Sequence, residues 1–450
     1  MHIARALPFC LLLTGAQLVA QDQATTTAAA PKRPHVIVIV SDDAGYADFS
    51  VHGARDIETP RIDSIAEGGV RCTQGYVSGS VCSPTRAGLM TGRYQQRFGH
   101  EKNIPPQWSE ENGLPLDERT FADDMLAAGY GTVALGKWHL GYADHFHPQS
   151  RGFEHYYGFL QGQRSYFPLE RVTRLNRLLK DRDVAPESFD YMTDELGRAA
   201  AKFIAERGDR PLFLYLAFNA VHGPMHATEQ DLVGTKGPQR RRKLIAMTHA
   251  LDRAVGYVLD ALDEQGIADD TLLFFVNDNG GATNNASENT PLRGHKGQVF
   301  EGGIRVPFLV RWPAGLPKGA VYEQPVIALD ILPTSLAAAD AAHGGDKALD
   351  AKPLDGVDLL PFLRGEQQGA PHEALFWKMG DTWAVRCGDH KLVHQQEGAP
   401  MLFDVQHDVA EATDLAAAQP EKVTALRARY DAWAKELMKP RWGNGKGEDD

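Results

Sequence analysis

HVIVIVSDDAG, residues 35–45, sets five consecutive β-branched apolar residues, Val36 to Val40, one serine ahead of two acids. A strand with one wet face alternates apolar and polar residues, whereas a strand buried on both faces need not. The same unbroken character recurs in GTVAL (131–135), LFLYLAF (212–218), TLLFFV (271–276) and PFLVRW (307–312). Between these runs, TFADDMLAAG (120–129), YMTDELGRAAAKFIAER (191–207) and KLIAMTHALDRAVGYVLDALDEQG (243–266) space their apolar residues three and four apart. In the last, Leu244, Met247, Leu251, Val255, Val258 and Leu262 make one stripe and Gly266 ends it. Strands alternating with helices predict an α/β fold with a large, mainly parallel sheet covered by helices on both faces.

Beyond residue 370 the pattern changes. ALFWKMGDTWAVRCGDHKLV (374–393) reads as short strands joined by Gly-Asp turns, and MLFDVQHDVAEATDLA (401–416) leads into a charged helix, PEKVTALRARYDAWAKELM (420–438). The sequence therefore predicts a catalytic α/β domain over 34–370, a small α+β subdomain with an antiparallel sheet over 371–440, and a loose tail over 441–450. At the other end, residues 1–20 carry one early arginine, an apolar run and then small residues, which predicts a secretory signal peptide too short to span a membrane. Cys10 lacks the small residue that precedes a lipidated cysteine, so no stable membrane anchor is expected. Residues 21–33 read as a flexible linker, and the mature chain as exported, periplasmic or secreted.

Composition is that of a globular protein: 450 residues, 43% hydrophobic and 24% charged. With 47 Lys and Arg against 59 Asp and Glu, the net charge is −12 and the one basic cluster of note is RRRK at 240–243. A nucleic-acid partner is not expected of such a chain. An anionic substrate is not excluded, because a few local cations set the field within about 10 Å. Three cysteines remain after processing, Cys72, Cys82 and Cys387, an odd number that marks one as free or chemically special.

In sheets of this kind ligands gather at the carboxyl ends of the strands. There the sequence puts Asp42 and Asp43 after one strand and Asp278 and Asn279 after another. Three carboxylates and an amide, all oxygen donors, suit calcium, with magnesium second. Other strand ends carry cations and imidazoles: Lys137 and His139, His222 and His226, and Arg293, His295 and Lys296 in a glycine-rich loop. Gathered at one edge, they would make an anion site with proton-transfer groups.

GSVCSPTRAGLMTGRY (79–94) joins this edge. Pro84 suits an early helical position, so Cys82 is expected at a helix N-terminus, where backbone N–H groups favour an anion. A thiolate of lowered pKa is one consequence. A soft thiolate sits oddly beside hard oxygen ligands, however, which suggests that the thiol is a precursor.

The segment Cys82-Ser83-Pro84-Thr85-Arg86 followed by AGLMTG resembles the signature of the type I sulfatases, of the alkaline phosphatase-like superfamily. GYGTVALGKWHLG, the SDD and NDNGG strand ends, GGIRVP and LFDVQHDVAEATDLA resemble further segments of that family in its order. The resemblance implies that Cys82 is oxidised during export to formylglycine by a maturation enzyme, and that Asp42, Asp43, Asp278 and Asn279, with residue 82, hold calcium. It also implies that Arg86, Lys137 and Lys296 bind the sulfuryl group, that His222 with Lys296 protonates the leaving alcohol, and that Asp278 and His139 act as bases. Thr85 and Asn277 stand where serine, or serine or threonine, is commoner, and neither removes a functional group.

For the leaving group, HFHPQSRGFEHYYGFLQGQRSYFP (145–168) is rich in His, Arg, Gln and aromatic residues. Arg164, Tyr166, His226 and His295 are the predicted contacts to a sulfated sugar of a polysaccharide or glycosaminoglycan. The rival readings are a phosphoric or phosphonic ester hydrolase of the same fold, and a non-catalytic binder of sulfated glycans with Cys82 left as a thiol.

Overall fold

The computed structural model describes residues 1–2, 33–345 and 351–443. The predicted signal peptide beyond its first two residues, nearly all of the linker and the tail from 444 lie outside these residues.

Ten strands form one sheet: β1 (His35–Ser41) and β2 (Val70–Cys72) and, after a short β3 (Gly75–Tyr76) set apart from it, β4 (Gly131–Lys137) and β5 (His155–Phe159). They continue with β6 (Leu179–Lys180), β7 (Asp183–Val184), β8 (Leu212–Ala217), β9 (Thr271–Asn277), β10 (Phe308–Arg311) and β11 (Ala320–Tyr322). The spatial order is β11-β2-β10-β9-β1-β8-β4-β5-β6-β7, while β3 pairs with β12 (Val326–Ile327). The five central strands are parallel. PFLVRW, whose unbroken pattern resembles that of its neighbours, forms β10, which is antiparallel to both β9 and β2. Burial on both faces, not strand direction, is what that pattern records.

Within β1, Val36, Val38 and Val40 face one apolar core with Tyr215, Phe274 and Leu89, and Ile37 and Ile39 face the other with Leu214, Phe275 and Leu251. Each such side chain contributes about 1.5–3 kcal/mol by leaving water. The helices Met192–Ala205 and Gln239–Glu264 cover the second face; Cys82–Thr91 and Ile331–Ala338 cover the first. The long helix starts at Gln239, so it takes in the RRRK cluster.

At the C-terminal end, β13 (Leu375–Met379), β14 (Thr382–Cys387), β15 (His390–His394) and β16 (Met401–Asp404) form an antiparallel sheet backed by the helix Pro420–Ala434. Its core is shared with Tyr76, Tyr94, Phe300 and Ile304 of the main body. The start of the predicted loose tail is held. Trp442 is buried edge-on to His100, and its Nε1 donates to the carbonyls of Lys102 (3.0 Å) and Asn103 (2.8 Å). An indole that fills a gap and finds acceptors for its N–H stays inside. The polar, aromatic stretch 145–168 is likewise not all connection: HYYGF within it is β5, paired in parallel with β4.

Candidate active site

Register brings the candidate residues together. β1 and β9 pair with Ser41 opposite Asn277, so Asp42 and Asp278 leave the sheet side by side. β8 pairs with both β1 and β4, which sets the end of β4, with Lys137, at the same edge. Asn277 fastens this corner: it accepts from Ser41 Oγ (2.8 Å) and donates to the Ala44 carbonyl (2.8 Å). Asp43 follows in a left-handed conformation, φ 59°, and its carbonyl accepts from Asn285 Nδ2 (3.0 Å) and Ser287 Oγ (2.8 Å). A non-glycine residue there is strained by roughly 1–3 kcal/mol, so the two side chains act as a brace. Sequence reading misses both, although NNASEN, two residues after NDNGG, is the available signal.

Cys82 begins the helix Cys82–Thr91, as expected, and is fully buried. Its Sγ lies 3.6 Å from Asp42 Oδ1, 4.0 Å from Asp43 Oδ1 and 3.3 Å from Lys296 Nζ. The thiol pKa, however, is pushed up to about 12, by burial first and then by Asp278, and these outweigh Lys137 and Lys296. The lowered pKa expected at a helix N-terminus is therefore not found; loss of water and nearby carboxylates win over the dipole.

Around Cys82 the charges interlock. Lys137 Nζ donates to Asp42 Oδ2 at 2.5 Å, and Lys296 Nζ donates to Asp43 at 2.9 Å. Arg86 donates through Nε and Nη2 to the same Asp278 oxygen, 3.0 and 2.8 Å, and through Nη1 to the Lys137 carbonyl, 2.9 Å. His222 Nε2 is 3.4 Å from Asp43 Oδ2. Burial alone would raise the Asp43 pKa, but Lys296, then His222 and Lys137, hold it below the ordinary value. At Asp278, burial and then Asp42 raise it, and Arg86 only partly offsets them. His139 is held well below the usual imidazole value, by burial first and then by Lys137 and Arg86, so its ring is neutral at pH 7.

The residues suit a hard cation. Atoms of Asp42, Asp43, Cys82 and His222 lie within 4.8 Å of one another. This tight group contains His222, which the sequence assigned to proton transfer. Asp278 and Asn279 stand beside it, Asn279 donating to Asp43 Oδ1 at 2.8 Å. Both keep a buried Oδ1 with no hydrogen-bond partner. Two orphaned oxygens in a cluster of carboxylates are the donors such an ion would satisfy.

The predicted sugar contacts divide. Tyr166 is fully buried, its hydroxyl donating to the carbonyls of Asn219 and His222 (2.8 Å to the latter). Arg164 is buried too, held by Glu187 and the Asn176 carbonyl. Tyr166 braces the loop that carries His222 with its hydroxyl spent inside, whereas Arg164 keeps a buried Nη1 with no hydrogen-bond partner. His226 and His295 remain partly exposed.

Sequence reading also missed a brace behind Cys82. Ser83 Oγ lies 2.6 Å from His100 Nε2 and donates to the His139 carbonyl at 2.7 Å, while Ser83 N donates to Asn103 Oδ1 at 3.0 Å. Gly162 lets the His139 ring approach, since a Cβ there would fall 2.5 Å from it.

The model of the sulfatase family matches residues 34–341. N-acetylgalactosamine-6-sulfatase of Canis lupus familiaris is 31% identical over 389 residues, 81% of this chain and 72% of that protein. Arylsulfatase A of Bos taurus is 32% identical over 90% of this chain and 89% of its own. Among solved structures, Ps i-CgsB in complex with k-i-k-neocarrahexaose superposes with a TM-score of 0.86 at 32% identity, covering 92% of this chain and 96% of that one.

Proposed function

The chain belongs to the sulfatase family and is a sulfuric ester hydrolase, and from that premise we propose that it cleaves sulfate monoesters on a sugar of a sulfated polysaccharide or glycosaminoglycan. The observation that carries this reading is the position of Cys82, boxed by Asp42, Asp43 and Lys296 at 3.3–4.0 Å with a thiol pKa near 12. A thiol so rarely ionised is a poor nucleophile, and the pocket suits an oxygen nucleophile at residue 82 instead. Formylglycine at position 82, with a calcium ion held by Asp42, Asp43, Asp278 and Asn279, would supply that oxygen nucleophile and a positive charge beside it.

The chain's own groups then have distinct tasks. Arg86, Lys137 and Lys296 bind the sulfuryl oxygens as negative charge shifts toward the leaving oxygen; fixed donors in a dry site are usually the largest catalytic contribution. His222 delivers a proton from Nε2 to the departing sugar oxygen, with Lys296 beside it. His139, neutral and with Nδ1 unpartnered, takes a proton from residue 82 so that sulfate is released. Asp278 is the base toward the attacking hydroxyl.

A sugar substrate is supported by the carbohydrate complex of Ps i-CgsB and by the N-acetylgalactosamine-6-sulfatase relative. The leader-like residues 1–20 fit export to the periplasm or medium, the route on which a maturation enzyme would meet Cys82. A screen of sulfate release over defined sulfated mono- and oligosaccharides, with mass analysis of the Cys82 peptide, tests the reading. Release from a sugar together with an aldehyde at residue 82 is expected. Faster phosphate release from matched aryl esters, or an unmodified thiol in active protein, overturns it.

A further inference from the structure

The wall that carries His222 extends outward into groups that hydrolysis of a single sulfate does not use. From His222 the loop reaches His226 in four residues, at most about 14 Å. It is pinned at both ends, by Tyr166 OH to the His222 carbonyl and Tyr191 OH to the His226 carbonyl, each 2.8 Å. The His226 ring lies 5.9 Å from that of Phe167, which rests edge-on against Tyr191 at 5.5 Å. Phe167 is nevertheless 36% exposed. An aromatic ring fixed from behind and open in front is a stacking surface.

The chain after His226 packs, through its turn Glu229–Leu232, against the long helix that opens with the RRRK cluster. Arg241 is bound to Asp56 and Asp48, and Arg242 donates to Thr235, so neither is available. Arg240 and Lys243, three residues apart on one face of that helix, pair with no carboxylate among the described residues, and the Lys243 charge acts on His226. Unpaired cations beside the pocket of a protein of net charge −12 complement an anion.

Resting on the sulfated-sugar reading above, we propose that Phe167, His226, Lys243 and Arg240 form a subsite for a second, anionic sugar residue next to the one being desulfated. The substrate is then a chain carrying more than one sulfate. The apolar face of the second sugar lies on Phe167, and its retained sulfate is held by Lys243 and Arg240.

Affinity electrophoresis of the full chain bearing Cys82→Ala, in gels containing ι-carrageenan, chondroitin sulfate or uncharged dextran, measures this without turnover. Retardation is expected in at least one sulfated gel and not in dextran. The double change Arg240→Glu with Lys243→Glu should weaken it about tenfold, and Phe167→Ala about threefold. The same charge change at Lys435 and Lys439 should leave it intact. Equal weakening by the Lys435 and Lys439 pair, unchanged retardation in the Arg240 and Lys243 double variant, or no retardation in either sulfated gel overturns the subsite. If unaltered enzyme made with its maturation enzyme releases no sulfate from 4-nitrophenyl sulfate while the gel result holds, the hydrolase mechanism fails and the subsite stands.

Discussion

The pocket around Cys82 and the charged knot around Glu301 are both largely buried, yet in the knot every carboxylate oxygen faces a hydrogen-bond donor or a cation. In the knot, Lys391 Nζ donates to Glu301 Oε1 (2.8 Å) and lies 3.0 Å from Glu411 Oε1. Tyr76 OH (2.7 Å) and Arg305 (3.3 Å) donate to Glu301 Oε2, and the Glu301 N–H donates to Glu411 Oε2 (2.7 Å). Both Glu301 oxygens and Glu411 Oε2 accept hydrogen bonds there, and Glu411 Oε1, which accepts none, is paired in charge with Lys391. In the pocket, Asp278 Oδ1, Asn279 Oδ1 and His139 Nδ1 have no hydrogen-bond partner. A buried polar atom without a partner costs about 1–3 kcal/mol. A fold that sets a donor or a cation against each carboxylate oxygen of one cluster and leaves oxygens of the other facing neither marks the second as the place where a cation fits.

The comparison breaks most directly at Cys82. Cys82→Ala should cut sulfate release by about 10³-fold or more while the melting temperature stays near that of the parent, because residue 82 contributes chemistry and little volume. Turnover within tenfold of the parent would contradict this. The opposite outcome is expected in the knot. Lys391→Met leaves two buried carboxylates facing each other and should destabilise the protein by about 3–5 kcal/mol in denaturant titration, with turnover per folded molecule changed less than about twofold. If stability holds and turnover falls, the knot serves the chemistry.

Asp278→Asn sharpens the contrast. It should cost about 10²-fold in turnover, and a calcium chelator should lower the melting temperature of the parent but move that of the variant little. A chelator shift of equal size in both would remove Asp278 from the ion site. The smallest effect concerns His372. Its burial opposes the charged form, but Asp330, 2.8 Å away, raises its pKa in the folded state. Its contribution is therefore complete below the unfolded histidine pKa of about 6.5 and is lost as pH rises through the folded value. Between pH 6 and 9, His372→Gln should flatten the stability profile by under about 1 kcal/mol; an unaltered slope would show that the pair does not titrate in this range.

Much of the fold and site is legible in the sequence, for reasons that differ residue by residue. β1, β4, β8 and β9 are legible because burial on two faces leaves no alternation of polar and apolar residues in the run. Asp42, Asp278 and Lys137 are legible because strand ends are where such sheets keep their chemistry. The direction of β10 is not, since the same apolar run serves either orientation. The place of Tyr166 is not legible either, because a side chain able to bind a sugar is equally able to brace a loop, and composition does not say which carbonyl lies in reach. Asn103 and His100 carry no local signal at all; they matter only because Ser83 reaches them.

By itself, then, the sequence determined the α/β architecture, the family resemblance and the identity of the groups after each strand, all of which depend on local pattern and chain order. Tertiary structure alone decided which of those groups share a pocket, that the Cys82 thiol is pushed up to about 12 and not lowered, and which oxygens are left without partners. Those properties depend on desolvation and on distances of a few ångströms between residues as far apart as Asp42 and Asp278, which only the register of β1 against β9 sets.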